Sequence, residues 1–352
     1  MVEKVLKAAV IGTGAISKEH LSFLAKSNLA HLVGVCDLSL ASAKYAAQKF
    51  GADALYTDYH QMLEEAKPDV IHILTPPQSH KPIATDCLKA GIHVICEKPI
   101  TLSYDDFKDL WSTAQAHNVY LIEDHNYRYN TPILAIEKLI KDDVLGEVQD
   151  VEVRMSLAIR DGGLYADENL PNPGHKLPAG IIHDFITHLS YLALRFMPEV
   201  EEVKAAWRNL GGGNLFKYDD LDAFLMAGSV HGRIRFSSYT KPDCFEVIVR
   251  GSKGYAQTDL YQPYLRCVIP RKGGKQLSPL INHFVNGWDL MNDSVRNFRR
   301  KIMQQTPYEG LHRLLEITYQ SLIDGKEPPI TFEDMARTSR LIEALLAQEN
   351  QI

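Results

Sequence analysis

The stretch Ala8–Ser17, AAVIGTGAIS, constrains what this chain can fold into more than any other. A short apolar run that breaks at Gly12-x-Gly14 and resumes as a helix is how a parallel strand brings a dinucleotide pyrophosphate to a helix N-terminus. Gly12 permits the tight turn, and Gly14, lacking a Cβ, lets backbone N–H groups approach the phosphates. Ser17 holds the third position of the fingerprint and is small enough for helix and strand to pack closely. A Gly-x-Gly at a strand end also fits an ordinary tight turn, so the flanking residues have to decide.

Spacing decides. Residues 30–36 read as a second buried strand that ends at Asp37, about twenty residues beyond the turn, where a carboxylate can accept hydrogen bonds from the adenosine ribose hydroxyls. Asp37 also repels a 2′-phosphate, and Leu38, Ser39 and Leu40 supply no arginine to neutralise one, so NAD is favoured over NADP. The other duty open to Asp37 is to cap the helix starting near Ser39. The alternation continues with helices over 39–50, 59–66 and 104–116 and strands over 69–74, 94–96 and 119–123, apolar at their centres except for His72. Continuous apolar strands separated by helices imply a doubly wound parallel sheet covered on both faces. Ligands lie beyond the carboxyl edge of such a sheet. That edge gathers Gly12, Thr13, Gly14, Ala15 and Ile16 of the turn with Thr75, Pro76, Pro77 and His80 of one loop and Glu97 and Lys98 of another as expected cofactor contacts. Ser79 is placed to cap the helix after the first loop.

Beyond His125 the pattern changes, which divides the chain into a nucleotide-binding domain over 1–125 and a second α/β domain over 126–352. A helix near 132–141 precedes alternating strands at 148–158, 203–208, 223–230, 233–238 and 245–249, read as a large, mostly antiparallel open sheet. The Gly- and Pro-rich stretch 160–179 has the length of a functional loop. Helices follow near 283–303, 308–323 and 332–347, the last opened by Thr331-x-x-Asp334 as a capping box.

Two constellations carry chemistry. Lys98, at a strand end beside the expected nicotinamide, is placed to hydrogen-bond a substrate hydroxyl and stabilise the oxygen that becomes negative as hydride leaves its carbon. On the helix over 180–196, Asp184, His188, Tyr191 and Arg195 form one polar stripe opposite Ile182, Phe185, Leu189, Leu192 and Phe196. Asp184 reaches His188 at i+4, and a neutral imidazole is a natural acceptor of an alcohol proton near neutral pH. His183 and His188 diverge on a helix, so no zinc pair and no metal site is expected.

Composition narrows the partners. A formal net charge of −6, with Lys and Arg scattered along 352 residues, gives no footprint for nucleic acid or an acidic membrane. No secretory signal is visible and no apolar run approaches the ~20 residues that span a bilayer, so the expectation is a soluble cytoplasmic protein. Five widely spaced cysteines without a C-x-x-C pair read as buried free thiols.

Taken together, AVIGTGAIS, Asp37, TPPQSH, HVICEKPI, NYRYNTP, LGEV and VRGSKG resemble the Gfo/Idh/MocA oxidoreductases over nearly the whole chain. Glu97-Lys98-Pro99 and the Asp184-x-x-x-His188 pair are the most telling of these motifs. The resemblance implies a Rossmann domain, a second domain whose open sheet often supports oligomers, and a catalytic group of Lys98, Asp184 and His188. It also implies a small-molecule polyol or sugar substrate and a homodimer or homotetramer. Substrate contacts are expected from Lys98, Arg128, Arg160, Asp184, His188 and Tyr191, with His175, Lys176 and Tyr239 as further candidates. Where the family pattern reads Asp-x-Gly-x-His-x-x-Asp, this chain has Ile186 for the Gly and Tyr191 for the second Asp. Two other uses of the scaffold remain open on the sequence: NAD held as an internal redox carrier for glycosidic elimination, and a non-enzymatic nucleotide-binding regulator.

Overall fold

The computed structural model describes residues 4–169, 172–303 and 308–349. Two compact units divide the chain, one running up to Asn126 and resuming at Tyr308–Ser339, the other holding the chain from Tyr127 up to that return and again from Arg340 on.

The first unit alternates β1 (Leu6–Ile11), α1 (Ser17–Leu24), β2 (Ala30–Cys36), α2 (Leu40–Phe50), β3 (Ala54–Tyr56), α3 (Tyr59–Ala66), β4 (Val70–Ile73), α4 (His80–Lys89), β5 (His93–Cys96), α5 (Tyr104–Ala116) and β6 (Leu121–Glu123). Its strands pair in parallel in the order β3-β2-β1-β4-β5-β6. The order reverses between β1 and β4, the switch point at which such sheets bind ligands. Val10, Val35, Ile71 and Val94 are fully enclosed, as helices on both faces require. Gly51, at φ +73°, ends α2 in the left-handed region that glycine adopts without a Cβ penalty.

The second unit holds α6 (Thr131–Lys141), β7 (Val148–Ser156), α7 (Ile181–Leu194), β8 (Glu202–Arg208), β9 (Asp220–Ala227), β10 (Val230–Ser237), β11 (Cys244–Gly251), β12 (Tyr255–Asp259), β13 (Arg266–Val268) and α8 (Gly274–Ile302). Its sheet runs β13-β12-β11-β7-β10-β9-β8, antiparallel except for the parallel pair β7 and β10. Along β10 the residues alternate, so that Val230, Gly232, Ile234 and Phe236 face the core under α7 while His231, Arg233 and Arg235 take the other face. On that outer face Arg208 and Arg235 bridge Asp220 at 2.6 and 2.8 Å, and Arg233 bridges Asp222 at 2.7 Å.

α9 (Glu309–Asp324) and most of α10 (Phe332–Leu346) belong to the first unit, against the expectation that everything beyond 126 forms the second domain. The cause is the apolar face of each helix. Tyr319 is fully buried between Phe23 and His72, at ring distances of 5.8 and 5.9 Å, and Phe332 stacks on Phe107 at 5.5 Å and packs against Trp111 at 5.0 Å. A helix goes where its apolar stripe is covered, whatever its place in the chain. The capping box forms as expected: Thr331 N–H donates to Asp334 Oδ2 at 3.1 Å and Asp334 N–H to Thr331 Oγ1 at 3.2 Å.

Other expectations change in detail. Ser79 does not cap α4 through its side chain, which lies 2.7 Å from Thr75 Oγ1 and 2.8 Å from Pro76 O. The helix expected from 283 begins at Gly274. Cys36, Cys87 and Cys96 are buried thiols, whereas Cys244 and Cys267 are half-buried. Within the expected loop over 160–179, Leu170 and Pro171 lie outside the described residues, as do the first three residues of the chain. Among the described residues no helix is long and apolar enough to cross a membrane.

Candidate active site

In the first unit, the turn after β1 passes directly over the end of β4. A Cβ on Gly12, whose φ is +94°, would lie 2.7 Å from the carbonyl carbon and oxygen of Leu74, so only glycine fits. Gly14 has open space where its Cβ would stand, and Gly14 and Ala15 are exposed at the mouth of α1, next to half-buried Ile16. Asp37 ties this turn to β2. Its Oδ2 accepts the Thr13 N–H at 2.8 Å and the Thr13 hydroxyl at 2.7 Å, while Oδ1 accepts the Ser39 N–H at 2.8 Å. Burial works against the charge on Asp37, but these hydrogen bonds outweigh it and hold the carboxyl below its usual pKa. Asp37 therefore braces the turn and the start of α2 together, and a carboxylate with about four acceptor sites keeps capacity for a ribose.

The loops after β4 and β5 are joined by His80, which is buried with Nδ1 2.9 Å from Pro99 O and Nε2 2.7 Å from Thr75 O. Glu123, at the end of β6, accepts the Ile100 N–H at 2.8 Å and bonds His125 Nε2 at 2.8 Å. These contacts brace the segment that presents Lys98, which is half-buried at the carboxyl end of β5. Pro76 and Pro77 lie on the loop that His80 anchors.

Behind this edge runs a buried polar column. Tyr319 Oη lies 2.8 Å from His72 Nε2, and His72 Nδ1 lies 2.8 Å from His20 Nδ1. His20 Nε2 then faces Asp124 at 3.5 Å and Glu97 at 3.7 Å. Burial disfavours the imidazolium, yet the two carboxylates overcome it and raise His20 to about 9. Asp124 is raised by its own burial to about 7. His20, Glu97 and Asp124 bring ligand-type atoms within 4.8 Å of one another. Of this column the sequence showed one sign, a histidine inside the otherwise apolar strand β4; Asp124 and Tyr319 carry no local pattern.

In the second unit, α7 holds Asp184 half-buried and, one turn later, His188 at 8% exposure. His188 Nδ1 lies 2.9 Å from Tyr191 Oη, which also accepts the Tyr127 N–H at 3.2 Å. The Tyr127 ring meets the imidazole edge-on at 4.9 Å. Tyr191, expected to contact substrate, is 1% exposed, and its hydroxyl is committed to holding His188 and the backbone of Tyr127. Arg195, at the end of the expected stripe, is paired with Glu137. Arg128 is buried. Arg160 bonds Asp219 at 2.8 Å and lies 4.6 Å over the Tyr239 ring, while His175 Nε2 donates to Tyr165 O at 2.7 Å and Lys176 is exposed.

Comparison with known proteins agrees with this architecture. Residues 6–125 match the oxidoreductase family described as an NAD-binding Rossmann fold, GFO_IDH_MocA. D-glucoside 3-dehydrogenase of Escherichia coli K12 is 29% identical over 184 residues, 51% of this chain and 52% of that one. The chain thus matches about half the length of that relative. Mouse trans-1,2-dihydrobenzene-1,2-diol dehydrogenase is 24% identical over 86% of this chain and 90% of its own. Levoglucosan dehydrogenase, solved with NADH and levoglucosan, shares the fold with a TM-score of 0.80 at 15% identity, covering 98% of this chain and 97% of that one. Residues 6–125 thus match the NAD-binding Rossmann domain of the Gfo/Idh/MocA oxidoreductases.

Proposed function

We propose that this protein is an NAD-dependent dehydrogenase that moves hydride between nicotinamide and a hydroxyl-bearing carbon of a sugar, cyclitol or sugar derivative. The observation that carries the reading is the setting of His188, whose Nδ1 is held 2.9 Å from the buried Tyr191 hydroxyl, which fixes the imidazole on α7 one turn beyond Asp184. The relatives point the same way, being named as glucoside and dihydrodiol dehydrogenases. The fit to the cofactor rests on Gly12, which nothing larger could replace, on the open space before Gly14, and on the Asp37 carboxylate that favours NAD over NADP.

NAD held on this edge supplies the hydride acceptor. The residues of the chain handle the proton and the charge. In the oxidation direction His188 Nε2 takes the hydroxyl proton, and Nδ1–H donates to Tyr191 Oη, which steadies the imidazolium that forms. Lys98 Nζ has the role of hydrogen-bonding a substrate oxygen and stabilising its negative charge as hydride leaves the carbon. Asp184, one turn before His188 on α7, orients the substrate.

The test is single-turnover reduction of NAD, followed at the nicotinamide absorbance, across a panel of sugars, inositols and sugar derivatives. A positive substrate should lose turnover by about 10²–10⁴-fold in His188→Ala and in Lys98→Met while NAD binding persists. Wild-type turnover in either single variant would sink the assignment, and bound NAD that cycles without net NADH would replace it with internal redox chemistry.

A further inference from the structure

Helix α8, 29 residues long, is amphipathic with its polar side turned toward its own chain. Ser278, Asn282, Asn286, Asp293 and Asn297 face the segment 263–271. Asn286 accepts the Cys267 N–H at 2.9 Å and donates to the Cys267 carbonyl at 2.9 Å, as a neighbouring strand would. Asn282 donates to Ile269 O at 2.8 Å, Asn297 donates to Pro263 O at 2.8 Å, and Asp293 accepts the Leu265 N–H at 3.2 Å. The helix therefore closes the edge of β13 with side-chain amides, which uses up its polar face.

The apolar face is left outward. Leu277, Phe284, Met291 and Phe298 repeat at seven residues, and Ile281, Trp288, Val295 and Ile302 repeat at seven between them, the d and a positions of four heptads. All but the half-buried Ile281 are exposed, from 48% at Val295 to 77% at Phe284. A surface helix of a finished assembly shows the opposite polarity.

We propose that this seam pairs with α8 of a second copy of the chain, antiparallel about a two-fold axis near Asp289 and Leu290. In that register every layer joins an a to a d position: Trp288 meets Met291, Phe284 meets Val295, Ile281 meets Phe298 and Leu277 meets Ile302 of the partner copy. The pairing is self-complementary, as a two-fold interface has to be. Gly287 and Ser294 beside the axis allow the helices to approach. Charge selects the direction. Arg299, Arg300 and Lys301 cluster at the C-terminal end, so a parallel pair would set two such clusters side by side, whereas the antiparallel pair separates them by roughly 32 Å along the helices. The area suffices: eight large side chains covering roughly 100 Å² each give about 800 Å² per copy, the size of a standard specific interface. By contrast, the outer face of the sheet is laced with the Arg and Asp ladder of β8, β9 and β10 and holds no comparable apolar stripe among the described residues.

Light scattering on the full chain after gel filtration tests this. Wild type should run as an even-numbered oligomer, and Trp288→Glu and Phe284→Glu should each halve the mass while circular dichroism and the thermal melt remain those of a folded protein. Register is read by crosslinking under a mild oxidant against a wild-type control for the native thiols. The double variant Phe284→Cys/Val295→Cys should form covalent dimers, and neither single variant should. A monomeric wild type, an oligomer that both glutamates leave intact, or crosslinking by Phe284→Cys alone would overturn the proposal.

Discussion

Tyr191→Phe isolates what the phenol does for His188. The change keeps the ring, and with it the packing of a fully buried side chain, and removes only Oη. Two hydrogen bonds go with it, to His188 Nδ1 at 2.9 Å and from Tyr127 N–H at 3.2 Å. At about 0.5–1.5 kcal/mol each, stability should fall by about 1–3 kcal/mol. For a unit of this size that is a melting shift of about 2–4 °C per kcal/mol. If one of those bonds orients the catalytic imidazole, kcat should drop by about 2- to 13-fold, the same bond energy expressed as a rate. A purely structural role would move the melt and leave chemistry alone, so the pH profile is the deciding readout. Tyr191 Oη accepts from Nδ1–H more strongly when the ring is charged, and its loss should shift the acid limb of kcat/KM to lower pH. A destabilised variant with unchanged kcat and an unmoved limb would refute the positioning role. Tyr191→Asp, which restores the family pattern at this position, should cost about 3–5 kcal/mol, because the carboxylate leaves most of the ring volume empty.

Asp37→Ser should weaken NAD binding by about tenfold or more, since bonds to an ionised acceptor are worth about 1.5–3 kcal/mol each, and should narrow the preference over NADP; calorimetry with both nucleotides checks this, and an unchanged ratio would contradict the role of the charge. The buried column predicts that the first unit loses stability as pH rises. His20 lies above its usual 6.5, so its contribution is complete below that value and is lost through about 9, while Asp124 lies above its usual 3.8, so the penalty for ionising it grows up to about 7. Thermal melts of wild type between about pH 5 and 9 should therefore decline, and Asp124→Asn should flatten the curve; a parallel decline in the variant would show that other groups carry the dependence.

What the sequence determined by itself is what short-range pattern can hold. The strand, glycine turn and helix at Ala8–Ser17 and the acidic residue at the end of β2 are local, because their geometry is set within one βαβ unit, and continuously apolar strands between helices imply a doubly wound parallel sheet, whose order of three-two-one-four-five-six the tertiary structure supplied. Lys98, Asp184 and His188 were legible as residue types at strand-end and helical spacing. Tertiary structure decided what depends on distant partners. Only packing returns Tyr319, 247 positions beyond His72, to the hydrogen bond that completes the buried column. Only the backbone of Tyr127, 64 residues away, shows that Tyr191 serves His188 from the interior. The polarity of α8 is the sharpest case: its heptads are written in the sequence, but which face meets its own chain was settled by amides that bond the exposed edge of β13. A periodicity gives two faces, and only the surroundings tell which one is buried.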